Sequence, residues 1–444
     1  MFKYLPHTKE DIEAMLKTIG VDSIEALYQD VPKSLKHHDL SLPSSHSELE
    51  LYEHFQALAN DIDVLKPVIG MGAYDHYTPS IIRHIIERQE FLTSYTPYQP
   101  EISQGTLQYI FEFQSMISQL TGMEIANASL YDGATATAEA MFMICAIRKK
   151  QRILVSNTIN PNIISVLKTY AHYKGITIDL LDHHEGVSSL EALKTHFTDE
   201  HAGLIVQSPN VFGLIEDYAG FKDVLEEKQG LFVINQDPST LAHLKTPSAW
   251  GADVAVGEAQ SLGLPLQFGG PYIGYLASKK AYVRKMPGRI CGMTKDSEGK
   301  RAFVLTFQAR EQHIRRDKAN SNICSNQSLL ALFVTIYLAT MGKKGLYEAA
   351  QLSMDAAYTL HDRLLELPIF EPVFSGQPFF KEFTLKSTLP VNMVQEALEA
   401  HGYLGPYDLH EMGLGDGSWV SFAMTEKRTE EDVETIIKAL EALV

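Results

Sequence analysis

Residues 252–275, ADVAVGEAQSLGLPLQFGGPYIGY, are the stretch from which the fold of this chain is best predicted. Val254, Ala255 and Val256 are typical of a β-strand, and a polar turn and a glycine-rich step lead into a second apolar strand. Gln260 stands in the turn, just after the first strand. Its amide nitrogen is not an amine nucleophile, because the lone pair is delocalised into the carbonyl. A plain strand–turn–strand, with glycines that allow positive φ, accounts for the same letters.

The layout resembles the segment that carries the Schiff-base lysine in pyridoxal-phosphate (PLP) enzymes of the aspartate-aminotransferase fold. In those enzymes the lysine follows the first strand, where Gln260 stands in this chain. The resemblance implies the body of a PLP enzyme in a chain that cannot hold the cofactor covalently.

Length and composition are those of a soluble globular protein with more than one domain. The chain has 444 residues, of which 45% are hydrophobic and 21% are charged. Its formal net charge of -17 argues against a nucleic-acid partner, which requires a basic face.

The sequence also predicts a cytoplasmic protein without a membrane span or a metal site. Cys145, Cys291 and Cys324 are isolated, which fits a reducing compartment and neither a zinc site nor a redox pair. The first residues, MFKYLPHTKEDIEAML, lack the apolar region of a signal peptide. No apolar run reaches the roughly 18 residues that span a bilayer, and no histidine spacing matches HExxH.

Three domains are expected, and the first is a helical arm over residues 1–65. Thr8 with Asp11, and Ser47 with Glu50, match the N-cap pattern [ST]-x-x-[DE] ahead of apolar-periodic stretches. The arm holds too little apolar surface to fold alone, so we expect it to pack on another surface.

Residues 66–330 alternate β-rich runs with helix-like stretches, which predicts a large α/β domain. The runs are RILVS (152–156), ITIDLLD (176–182), GLIVQSP (203–209) and KQGLFVINQD (228–237). Strands separated by helices imply right-handed crossovers and a mostly parallel sheet, with sites at the carboxyl ends of the strands.

Residues 331–444 are expected to form an α+β small domain. Its opening run is most apolar from Leu329 to Met341, only 13 residues, which favours a buried core helix over a membrane span. With the resemblance of residues 252–275, the predicted fold class is α/β, a PLP-dependent transferase of fold type I (aspartate aminotransferase-like).

Two further segments are candidates for a site. The loop SYTPYQPEISQG (94–105) combines phenols, amides and a carboxylate, and Pro97 and Pro100 stiffen it. Such a loop suits a preorganised ligand site, and an ordered surface loop is the alternative. In ASLYDGATATAEAM (128–141), Gly133 precedes a helix whose first turn offers N–H groups to an anion, although Asp132 and Glu139 disfavour phosphate.

Asp237 and a cluster of basic residues each have a functional and a purely structural interpretation. Asp237 follows a strand, where it is able to pair with a protonated pyridine nitrogen or to act as a turn residue. A basic island in an acidic chain suits either a carboxylate, phosphate or acidic partner, or a solvated helix face. It comprises Arg310, Arg315, Arg316 and Lys318.

Taken together, the blocks resemble the P-protein of the glycine cleavage system, the PLP-dependent glycine decarboxylase (glycine dehydrogenase), and within that family the alpha subunits of the two-subunit bacterial form. The resemblance covers essentially the whole chain, and the match at YTPYQPEISQG is highly specific. The matching blocks are IGMGAYDHYTP (69–79), TSYTPYQPEISQG (93–105), IANASLYDGATATAEAM (125–141), QSPNVFGLIED (207–217), GEAQSLGLPLQFGGPYIG (257–274), PGRICGMTKDSEGKRAF (287–303) and QAREQHIRRDKANSNICS (308–325). One departure is Ala73, where the family commonly has a second tyrosine.

The resemblance implies a subunit that works with a partner. The beta subunit supplies the lysine and holds PLP, while the alpha subunit completes the site across the interface. The pair decarboxylates glycine and transfers the aminomethyl group to the lipoyl arm of H-protein, and an α2β2 assembly is expected. The residues that the resemblance implies in the shared site are Tyr95, Tyr98, Gln99, Glu101 and Gln104, with Asp237 a weaker candidate.

Two other interpretations stay open. The chain is an inert scaffold or regulatory subunit if those side chains do not affect turnover. It is an independent PLP decarboxylase or aminotransferase if another lysine, such as Lys245 or Lys279, forms the Schiff base.

Overall fold

The computed structural model describes residues 6–35 and 41–444, and the chain separates into two compact units, Met1–Val64 and Leu65–Val444. The described part of the first unit holds helices α1 (Lys9–Ile19) and α2 (Glu48–Asn60), with 3-10 turns at Ile24–Tyr28 and Lys33–Leu35. Both predicted N-caps are confirmed as capping boxes, in which Thr8 and Asp11, and Ser47 and Glu50, exchange hydrogen bonds. None of the described residues of this unit is buried.

The second unit is built on a seven-stranded sheet. Its strands are β1 (Ile125–Ala126), β2 (Arg152–Ser156), β3 (Thr177–Leu181), β4 (Gly203–Ser208), β5 (Leu231–Gln236), β6 (Val254–Glu258) and β7 (Gly274–Ser278). They lie in the order β1-β7-β6-β5-β4-β2-β3, and only β7 runs against its neighbours. The predicted mostly parallel sheet is therefore confirmed, as is the strand–turn–strand at 252–275.

Helices cover both faces of this sheet, which explains why its strands are apolar on both sides. In β2, Ile153 and Val155 belong to one core cluster and Leu154 to another, as the two-residue period of a strand requires. The helices are α3 (Ser80–Ile86), α4 (Gln104–Thr121), α5 (Gly133–Arg148), α6 (Pro161–Lys174), α7 (Leu190–His196) and α8 (Phe221–Glu227). A one-turn helix, Gln89–Leu92, precedes the loop that leads into α4.

A hairpin and a long helix follow the sheet. The hairpin pairs β8 (Ile290–Lys295) with β9 (Arg301–Thr306). Helix α9 (Ser328–Leu365) is the one helix of the described residues that is long and apolar enough to cross a membrane by length and composition. Its first part buries Ala331, Phe333 and Val334 in a core cluster shared with α4, and buried core helices of globular proteins have the same length and composition.

The C-terminal part carries its own four-stranded sheet, in which neighbours are antiparallel. Its elements are β10 (Phe370–Pro372), β11 (Glu382–Ser387), α10 (Val391–Glu399), β12 (Tyr407–Asp408), β13 (Trp419–Ala423) and α11 (Glu430–Glu441). The two-residue strand Lys66–Pro67 pairs with Tyr403–Leu404, so the start of this unit lies beside its end. A domain boundary at residue 330 stays a prediction, and α9 runs across that position.

Candidate active site

A cavity of about 270 Å³ lies at the carboxyl ends of the parallel strands. Its walls include Asp237 just after β5, Glu258 at the end of β6, Gly133 at the start of α5, and residues 71–74. Chain crossovers leave a crevice at this edge of an open parallel sheet, and ligands of such folds bind there. The cavity is therefore the candidate site of this chain.

Gln260 lies between the cavity residues Glu258 and Ser261, and its side-chain amide is hydrogen-bonded through both its nitrogen and its oxygen. Its Nε2 donates to the carbonyl oxygens of Tyr74 (2.8 Å) and Leu264 (2.6 Å), and its Oε1 accepts from the Tyr74 N–H (2.8 Å). The side chain is completely buried. Gln260 thus ties residues 71–74 to the sheet, and it offers no amine to the cavity.

Asp237 is paired with Lys381, a residue that the sequence did not single out. Lys381 Nζ lies 2.8 Å from Asp237 Oδ2, donates to Ser239 Oγ at 2.8 Å, and stands 3.8 Å from the centre of the Tyr74 ring. The other oxygen, Asp237 Oδ1, accepts from Ser261 Oγ at 2.6 Å. Burial alone would raise the pKa of Asp237, but the adjacent Lys381 charge and these hydrogen bonds lower it.

A buried chain of contacts continues from Lys381 to Glu426. Lys381 Nζ is 2.8 Å from His76 Nε2, and His76 Nδ1 is 2.7 Å from Glu426 Oε2. Since an ammonium only donates, Nε2 accepts and the ring proton sits on Nδ1. Burial and the nearby Lys381 charge lower the pKa of His76, so the ring is neutral at pH 7.

The N-terminus of α5 carries two carboxylates. Asp132 is its N-cap and accepts the Thr135 N–H at 2.7 Å, while Glu258 Oε2 accepts the Gly133 N–H at 2.9 Å. Burial raises the pKa of Glu258 to about 8, although three backbone N–H groups oppose that shift. The sequence predicted the negative charge of Asp132 beside this helix start, but the second acidic side chain at this point is Glu258 and not Glu139. Glu139 is buried one to two turns further along α5.

The five residues predicted for a shared site do not line the cavity. Tyr95 and Tyr98 are 74% and 75% exposed, and their ring centres are 6.4 Å apart. Gln99 and Glu101 are exposed as well. Gln104 is the first residue of α4, and its amide exchanges hydrogen bonds with the backbone of Phe303 in β9 (2.9 and 2.8 Å). The structure therefore places four of these side chains together on the surface and gives the fifth a structural partner.

The other charged candidates also lie outside the cavity. Lys245 is exposed above the Trp250 ring, and Lys279 pairs with Asp253 at 2.7 Å. Arg310 is half-buried and donates to the Met286 carbonyl, whereas the rest of the basic island is exposed on short turns. Among residues 6–35 and 41–444, no group of three or more His, Cys, Asp and Glu side chains is placed to hold a metal.

Comparison with known proteins shows which family this chain is similar to. The family model of the glycine cleavage system P-protein matches residues 2–440. A probable glycine dehydrogenase (decarboxylating) subunit 1 from Moorella thermoacetica is 46% identical over 99% of both chains. The protein of the same description from Halalkalibacterium halodurans is 47% identical over 98% of both.

A comparison with solved structures also finds a P-protein of the glycine cleavage system. A crystal structure of glycine decarboxylase (P-protein) of the glycine cleavage system, in inhibitor-bound form, superposes with a TM-score of 0.92 at 41% identity and full coverage of both chains. The sphingosine-1-phosphate lyase of Burkholderia pseudomallei, at a TM-score of 0.67 and 12% identity over 92% of this chain and 93% of that one, shares the fold alone.

Proposed function

The chain belongs to the glycine cleavage system P-protein family, and we propose that it is the alpha subunit of a two-subunit glycine decarboxylase. In this proposal a beta subunit holds PLP, and the pair decarboxylates glycine and passes the aminomethyl group to the lipoyl arm of H-protein. The alpha chain has no activity alone and assembles with its partner, with α2β2 as the expected stoichiometry.

The observation that carries the proposal is the buried, fully hydrogen-bonded amide of Gln260 at the position of a Schiff-base lysine. The cavity residues of this chain do not fit PLP, since no lysine lines the cavity and Asp237 already has a cation beside it. Carboxylates also hold the helix end where a phosphate would bind. A P-protein subunit with this pocket needs a second subunit for the cofactor.

The contribution of this chain to the shared site is assigned to the loop before α4. Pro97 is buried and Gln104 is bonded to β9, so the loop is anchored at two points while Tyr95, Tyr98 and Glu101 project outward. An anchored loop presents its hydroxyl and carboxylate groups with little loss of conformational freedom on assembly. The tyrosines and Gln99 would orient the substrate carboxylate and the cofactor, and Glu101 would orient groups or transfer a proton.

The first test is the visible absorbance of the purified chain with excess PLP, alone and then mixed with a beta subunit. We expect a colourless chain that raises the glycine–bicarbonate exchange of its partner. A borohydride-reducible adduct on the wild-type chain alone would instead support an independent PLP enzyme that uses another lysine.

Alanine substitutions separate a shared site from an inert scaffold. We expect Tyr95→Ala and Glu101→Ala to lower the exchange rate at least about tenfold without changing assembly, because a positioned acid–base group contributes about 10²–10⁴-fold. Tyr173→Ala, at an 82% exposed tyrosine of α6, and Glu399→Ala, at an exposed residue of α10, are matched controls. Full activity of the two loop variants in an intact complex would favour the scaffold.

A further inference from the structure

The groups that would hold the two charged ends of PLP are already partnered inside this chain. In enzymes of this fold a carboxylate pairs with the protonated ring nitrogen, and a helix N-terminus receives the phosphate. Asp237, at the end of β5, and Gly133, at the start of α5, lie on the same cavity and correspond to these two functions.

Lys381 presents a protonated nitrogen to Asp237, as a pyridine ring would. Its ammonium group lies 2.8 Å from Asp237 Oδ2 as an ion pair, and it donates to Ser239 Oγ and His76 Nε2, each at 2.8 Å. The side chain is only 3% exposed, and Asp237 is only 14% exposed, so water does not screen this pair strongly. A cofactor ring nitrogen would have to displace a buried cation that is paired with Asp237 and hydrogen-bonded to Ser239 and His76.

Glu258 places a carboxyl group at the start of α5, where its oxygen accepts the N–H that a phosphate oxygen would accept. Its Oε2 accepts from Gly133 N–H at 2.9 Å, and its Oε1 accepts from the N–H groups of Gln260 (3.1 Å) and Ile273 (3.0 Å). Asp132 takes the Thr135 N–H of the same turn. At this helix start a phosphate would find the Gly133 and Thr135 N–H groups already bonded to the carboxyl groups of Glu258 and Asp132.

We propose that Lys381 and Glu258 are internal substitutes for the ring nitrogen and the phosphate of PLP, and that they close this pocket to the cofactor independently of Gln260. The segment around Tyr74 is thereby held in place without any cofactor, since Lys381 lies over the Tyr74 ring and Gln260 bonds the Tyr74 backbone. It follows that restoring a lysine at position 260 does not by itself restore cofactor binding.

Three variants of the full-length chain test this with PLP as the probe: Gln260→Lys alone, Gln260→Lys with Lys381→Met, and both of these with Glu258→Ala. Titration by visible absorbance and mass spectrometry of a borohydride-reduced adduct at position 260 are the measurements. We expect the triple variant to bind PLP at least about tenfold more tightly than Gln260→Lys alone. Gln260→Lys with Lys279→Met is the matched control, because Lys279 pairs with the buried Asp253 outside the cavity.

Two results would overturn the proposal. One is PLP binding by Gln260→Lys alone that is as tight as that of the triple variant. The other is a triple variant that is folded by circular dichroism and forms no adduct. No beta subunit is present in this assay, so the outcome is independent of whether the chain acts in a shared site.

Stability measurements keep the test decisive if the cofactor variants fail to fold. Lys381→Met leaves Asp237 buried without its cation, whereas Asp237→Asn with Lys381→Met removes both charges. We expect the double variant to recover most of the urea midpoint that Lys381→Met loses, as coupled partners do. If the two changes lowered the urea midpoint independently and additively, Lys381 would not act on Asp237. That result would overturn the proposal that Lys381 takes the place of the ring nitrogen.

Discussion

Gln260 shows how one residue both removes a chemical function and supplies a structural one. Its amide holds both backbone groups of Tyr74 and the Leu264 carbonyl within a completely buried site. Lysine has no acceptor atom, so it is unable to make the same set of bonds. At the position where we propose that a Schiff-base lysine is missing, the side chain therefore anchors residues 71–74.

Substitution of Gln260 by alanine is expected to destabilise the chain by about 2–4 kcal/mol, because buried backbone groups lose their partners. Urea unfolding followed by circular dichroism measures this loss. Gln56→Ala, at an exposed glutamine of α2, is the control and is expected to change stability by less than about 0.5 kcal/mol. Equal stability of the two variants would contradict the assigned role.

Glu139 gives α5 a pH-dependent stability. Burial raises the pKa of Glu139 from its ordinary value of 4.5 to about 7. Its contribution to the free energy of unfolding is therefore fully present below pH 4.5 and is lost as the pH rises through 7. We expect Glu139→Gln to be more stable than the wild type by about 1–3 kcal/mol at pH 8.5.

The control for this prediction is the same pair of proteins at pH 5. There the side chain of the folded wild type is mostly protonated, and the advantage of glutamine is expected to be much smaller than at pH 8.5. Urea midpoints at both pH values measure the difference. An equal gain at pH 5 and pH 8.5 would mean that packing, and not ionisation, separates the two side chains.

At the scale of the element, helix α9 is interrupted by one residue whose backbone is not helical. Gly342 has φ 57° and ψ -172°, a conformation open almost only to glycine, so the 38-residue helix is two helical segments joined at that point. The segment before it is the apolar run Leu329–Met341 that the sequence marked as a buried core helix. Burial of Ala331, Phe333 and Val334 confirms that interpretation for this segment.

Gly342→Ala is expected to destabilise the chain by about 1–3 kcal/mol through backbone strain alone, because a Cβ at that position meets no atom within 4 Å. Gly345→Ala, in the same helix, is the matched control. Gly345 has helical geometry and its added Cβ meets only the Met341 side chain, from 3.3 Å, so we expect a change of less than about 1 kcal/mol. Thermal unfolding compares the two, and similar shifts would contradict a strained break.

At the scale of the whole molecule, the first unit carries large apolar side chains that are exposed. Tyr52 and Phe55 of α2 are 66% and 63% exposed, and Ile62 is 68% exposed. Tyr52 and Phe55 stand three residues apart and therefore on one face of α2, and exposed apolar side chains grouped in this way are typical of protein–protein surfaces. We propose that this surface contributes to assembly with the beta subunit.

Phe55→Asp is therefore expected to leave the unfolding of the isolated chain unchanged and to weaken the alpha–beta complex at least about tenfold, since a buried interface aromatic commonly contributes more than about 1.4 kcal/mol. Sedimentation of the mixed subunits measures the Kd. Glu53→Lys, at an exposed position on the same helix, is the control. An unchanged Kd for Phe55→Asp would remove α2 from the interface.

Some of the buried charged residues beside the cavity were predicted from the sequence, and others were not. Asp237, Asp132 and Gln260 were recognised because each stands beside a strand or helix signal in its own neighbourhood. Lys381, His76 and Glu426 were missed because nothing local distinguishes them. The one available signal was Lys381-Glu382, two adjacent charges between the apolar pair Phe379-Phe380 and Phe383 at the start of strand β11.

The sequence by itself determined the parallel sheet, the two capping boxes, the absent lysine and the family, because strand periodicity, cap patterns and motif blocks are local properties of the chain. Only the tertiary structure decided what occupies the pocket. Asp237, Lys381 and His76 are far apart in sequence, and they meet because Lys381, just before strand β11 of the C-terminal sheet, lies beside the end of strand β5 of the central sheet. Pairing between buried charges depends on distances of about 3 Å, which the order of residues along a chain does not specify.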